Sequence, residues 1–121
     1  METVADVLQA MLDLYATPGA WTAKGIACNA VGRRVAPTSP EAVSWSLEGA
    51  LERILGDTAE AGISEAEWER RCKLGRGVSA ACGVNLMLFN DAAHRQEVVV
   101  AVLRMGLEHA SLGLAPPAQR P

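Results

Sequence analysis

The run from Thr38 to Leu55 constrains the fold more than any other, because it carries a start signal, one apolar face and a stop. Ser39 followed by Pro40 reads as an N-cap and first helical residue; Thr38 with Glu41 three residues on is the other possible start. Val43, Leu47, Ala50, Leu51 and Ile54 recur at i, i+4, i+7, i+8 and i+11, which is one helical stripe. Gly56-Asp57 ends it. Gly49 falls mid-helix, where glycine costs about 1 kcal/mol against alanine, so close approach by another segment is expected there. The remaining elements are expected to pack against this central helix.

Around it the same signals recur. Thr3 caps a first helix to about Tyr15, with Asp6 in capping-box position and Val4, Val7, Leu8, Met11, Leu12 and Tyr15 on one face. Between Trp21 and Pro37 the period changes. Residues 24–28 and 33–37 flank Asn29-Ala30-Val31-Gly32, a pattern that predicts a short β-hairpin with one face on the helices. Ser64 with Glu67, bracketed by Ile63 and Trp68, starts a third helix that runs to Cys82 and stops at Gly83, with Gly75 and Gly77 as points where it could break. Leu86 to Phe89 reads as a buried apolar connector. Asn90 or Asp91 then caps a last helix with the stripe Val99, Val102, Leu103, Gly106, Leu107 and Ala110.

The expected fold is therefore mainly α, about four helices with one small hairpin, in a single domain over residues 1–112 followed by a mobile tail at 113–121. A length of 121 residues suits one core. With only three Trp, one Tyr and one Phe, that core must be aliphatic.

Charge and cysteine usage narrow the function classes. The formal net charge is −3, with residues 1–65 carrying four Lys/Arg against nine Asp/Glu and residues 66–121 seven against five. This disfavours extended nucleic acid as a partner. Three cysteines without a CxxC spacing, no basic leader and no long apolar run point to the cytoplasm, with no membrane partner. Cys28, Cys72, Cys82, His94 and His109 show no paired ligand spacing, so no metal and no cofactor are expected. P-loop, Rossmann, nucleophile-elbow and zincin motifs are absent.

Two short patterns remain, Trp45-Ser46-x-x-Gly49-Ala50-Leu51 and Phe89-Asn90-Asp91. With the Trp that precedes the hairpin, they resemble a family of small uncharacterised proteins of actinobacteria, proteobacteria and their phages. That family carries W-(C or S)-x-x-GAL in its central helix and W/F-N-D before its last. The likeness spans about Val4 to Ala110. It implies a compact, mainly helical bacterial or phage protein and brings no activity with it. Relatives with Cys at position 46 or Asp at position 29 differ from this chain, so neither position is expected to do chemistry here.

The expectation is a non-enzymatic binding protein of a phage or mobile element that occludes a host protein, as inhibitors of bacterial defence do. Its contact residues would be Trp21, Trp45, Asn90 and Asp91. A small-ligand or nucleotide-binding domain, with Arg33, Arg34, Asn90 and Asp91 around a pocket, is the alternative. An enzyme using Asp91 with His94 is a further one. No catalytic residue is assigned, and homodimerisation stays open.

Overall fold

The computed structural model describes residues 3–113. Over these it is mainly helical, with α1 (Val4–Leu14), α2 (Leu47–Leu55), α3 (Glu65–Cys82), α4 (Leu86–Ala92) and α5 (Gln96–Ser111). A two-stranded antiparallel sheet joins β1 (Ala27–Cys28) to β2 (Ser44–Trp45), with Ala27 opposite Trp45 and Cys28 opposite Ser44. The expected tail from residue 114 onward lies outside the described residues.

Helices α1, α3 and α5 pack on one another, α2 lies on α1, and α4 lies on α2. Their shared core is aliphatic. Val7, Leu8, Leu47, Val78, Val99 and Leu103 are fully buried within it. Local signals explain the long helices. Thr3 and Asp6 form a complete capping box on α1. The Ser64 side chain accepts from Glu67 N, and Gly83 closes α3 in the left-handed region. Gly75 and Gly77 do not break α3. A side chain at Gly77 would meet Val4, so this glycine lets α1 lie close. Trp68 projects from α3 half exposed instead of packing beneath it.

The central helix starts later than its local signals predict. Residues 38–43 form turns, Ser44-Trp45 are paired as strand, and Ser46 is the N-cap, accepting from Gly49 N at 3.0 Å. Tertiary pairing overrides the Ser39-Pro40 start: Trp45 N donates to Ala20 O at 2.7 Å and Val43 N to Cys28 O at 2.9 Å. Val43 thereby leaves the apolar stripe and is half exposed. The close approach expected at Gly49 is present. A Cβ there would collide with the carbonyl oxygen of Ile26, so the residue just before β1 lies directly on α2.

The predicted hairpin turn also forms. Asn29 N donates to Arg33 O, Gly32 N to Asn29 O and Val35 N to Ala27 O. The principal partner of β1, however, is β2 and not the 33–37 arm. In the connector before α5 the correction is larger. Residues 86–92 are helical, capped by Asn85, so Asn90 and Asp91 lie inside α4 and neither caps α5. Asn85 offers the same capping chemistry five residues earlier and wins. Arg95 precedes α5 without a side-chain cap.

Candidate functional site

Asn90 is the most buried polar side chain among the described residues, 5% exposed, and it ties three segments together. Its Oδ1 accepts from Trp21 Nε1 at 2.7 Å and from Leu47 N at 2.9 Å. Its Nδ2 donates to Thr22 O at 3.4 Å. One amide thus fixes the 20–26 loop, the first turn of α2 and α4 to one another. The buried Leu47 N–H would otherwise be unpaired at a cost of about 1–3 kcal/mol.

Trp45 anchors the same node from below. Its N–H and carbonyl bond to Ala20 and Thr22, its Nε1 donates to Pro37 O at 2.9 Å, and the Arg53 guanidinium lies 5.4 Å from its ring centroid. The buried Tyr15 hydroxyl donates to Trp45 O at 2.9 Å, and burial pushes that phenol well above its ordinary range. Gln96, which sequence reasoning missed, completes the frame. Its amide donates to Tyr15 O and Thr17 O and accepts from Trp21 N.

Three expected site residues, Trp21, Trp45 and Asn90, therefore do meet. Trp45, at 6% exposed, can offer a partner almost nothing. Beside the node is a cavity of about 290 Å³ whose lining includes Gly25, Ile26, Glu48, Met87, Asn90 and Asp91. Ile26 and Met87 are half exposed at its mouth, and Leu88 follows Met87 on α4 at 62% exposed. The signal for them was weak: Met87 and Leu88 fall in a run expected to be a buried connector, and Ile26 is a single apolar residue in a hairpin arm.

The arginines do not join this cavity. Arg33 is exposed in the hairpin, while Arg34 packs over Gly25 with its Nε donating to Lys24 O at 2.8 Å. The four residues expected around one pocket thus split into a carboxylate–amide side and an arginine side.

Among the described residues no group of three or more His, Cys, Asp and Glu side chains is placed to hold a metal. Cys28, Cys72 and Cys82 are free thiols, and burial pushes Cys82 up to about 11. No helix of the described residues is long and apolar enough to cross a membrane. Comparison with protein-family models, curated proteins and solved structures finds no match.

Proposed function

We propose that this chain acts by binding a protein partner through the face built on Asn90. The observation that carries the reading is the pair Ile26 and Met87, half exposed across a small cavity whose walls are fastened by a buried amide. Large apolar side chains held on a rigid frame lose little conformational freedom on association. A cavity of about 290 Å³ lies at the bottom of the roughly 300–1,000 Å³ range of small-molecule sites. It suits one side chain of a larger partner. A nucleotide would bring its phosphates to Glu48 and Asp91, with neither arginine in the lining.

The resemblance to the phage and bacterial family supplies the kind of partner proposed: a host protein, such as a defence component, held in an occluded state. Affinity capture from host lysate tests the reading when run with variants. Ile26→Asp and Met87→Asp should each weaken capture at least about tenfold, while Val31→Asp on the exposed hairpin tip should leave it unchanged. Equal capture by all three variants, each with an unaltered melting profile, would remove this face from the binding surface.

A further inference from the structure

We propose that the cavity beside Asn90 receives a basic side chain, arginine or lysine, presented by the protein partner. Its aliphatic stem would lie on Ile26 and Met87 and its charged head would meet Glu48 and Asp91. The inference rests on the binding reading above and names the chemistry of what binds.

Position is the first support. Leu47 N is bonded to Asn90 Oδ1, and the residues that follow these two, Glu48 and Asp91, both line the cavity. The bond that fastens α2 to α4 therefore brings two carboxylates to one rim. Both are exposed, and neither makes an ion pair among the described residues.

Local structure accounts for only one of them. Glu48 sits in the first turn of α2, where a carboxylate is favoured by the helix dipole. Asp91 is the penultimate residue of α4, where a negative charge is disfavoured, and no ion pair among the described residues offsets that placement. Its cost to the free protein is recovered when a cation approaches.

The walls complete the fit. Lysine and arginine cover apolar surface with their stems while the head stays polar, which is the division between Ile26 and Met87 on one hand and the carboxylates on the other. On the Gly25 side, Arg34 is held by the Lys24 carbonyl and is not paired with either acid. The frame is set before binding, because the bonds of Asn90 and the contact of Ile26 O with Gly49 fix all three walls.

The test titrates two capped pentapeptides, Ala-Leu-Arg-Leu-Ala and its citrulline counterpart, into the methyl-labelled full chain at low salt. The arginine peptide should shift the Ile26 and Met87 methyl signals with a Kd on the order of 1 mM, and citrulline should bind about fivefold more weakly. The double variant Glu48→Gln, Asp91→Asn should erase that difference. If the double variant misfolds, Asp91→Asn alone should still weaken the arginine peptide about twofold. Equal shifts with both peptides overturn the basic side chain and leave the binding face standing. Shifts with neither peptide also overturn it, and the face itself is then judged by the Ile26→Asp capture.

Discussion

The two ends of α2 are each fastened by one polar side chain reaching in from another helix, yet the fastenings differ in kind. At the N-terminal end Asn90 of α4, a neutral amide, accepts from Leu47 N and Trp21 Nε1. At the C-terminal end Arg71 of α3, its side chain 12% exposed, donates to Asp57 O at 2.7 Å and lies against Gly56. Arg71 also pairs with Glu67 at 3.4 Å and Glu60 at 3.7 Å. The amide joins segments far apart in sequence and carries no charge to desolvate. The guanidinium joins neighbours through one connection and depends on carboxylates to stay paired. The contrast teaches which end can be exposed to chemistry: the neutral, long-range joint underlies the candidate site, and the ionic joint closes a loop.

Asn90→Ala should have the largest effect. It strands the buried Leu47 N–H at about 1–3 kcal/mol and the part-buried Trp21 Nε1–H at up to about 2 kcal/mol, so urea unfolding should show a loss of roughly 1–5 kcal/mol. A loss below about 1 kcal/mol would mean that water replaces the amide and the joint is no joint. Arg71→Met should cost less, about 1–2 kcal/mol in the same assay, since Glu67 keeps Arg70 at 2.6 Å as a partner. The smallest effect separates the ends by pH. Hydrogen bonds from Arg70 lower the Glu67 carboxyl most; desolvation opposes them, and the Arg70 charge with the bond and charge of Arg71 carries it from 4.5 to about 2. A folded value below the unfolded one gives stability that is whole above about pH 4.5 and lost as pH falls toward 2. The melting-temperature difference between the wild type and Glu67→Gln should therefore shrink over that window. The difference between the wild type and Asn90→Ala should not follow it.

Much of the fold was legible because its signals are local. Thr3 with Asp6, Ser64 with Gly83, and the stripe through Val99, Val102 and Leu103 each act within a few residues, and each is realised. The start of α2 was not, because Ser39-Pro40 is a sound local start that loses to pairing of Trp45 with Ala20 and of Val43 with Cys28. The site was half legible. Trp21, Trp45 and Asn90 stood out by residue type, but the bond between Trp21 and Asn90 spans 69 positions, and no periodicity reports a contact of that range. Gln96 and Glu48 carried no signal at all. The residues of the two short patterns are now physically readable: Ser46 caps, Gly49 admits Ile26, Ala50 is fully buried and Asn90 ties α4 to the start of α2.

The separation between frame and mouth has a further consequence. Asn90, Trp45, Gly49 and Ser46 hold the cavity open from beneath, whereas Ile26, Glu48, Met87 and Asp91 form its rim, and none of these four side chains takes part in the hydrogen bonds of the frame. Exchanging the rim should therefore rewrite what the socket accepts while its foundation stays in place. Four positions can then be varied together as a library, with the fold held constant by Trp45, Gly49 and the hydrogen bonds of Asn90.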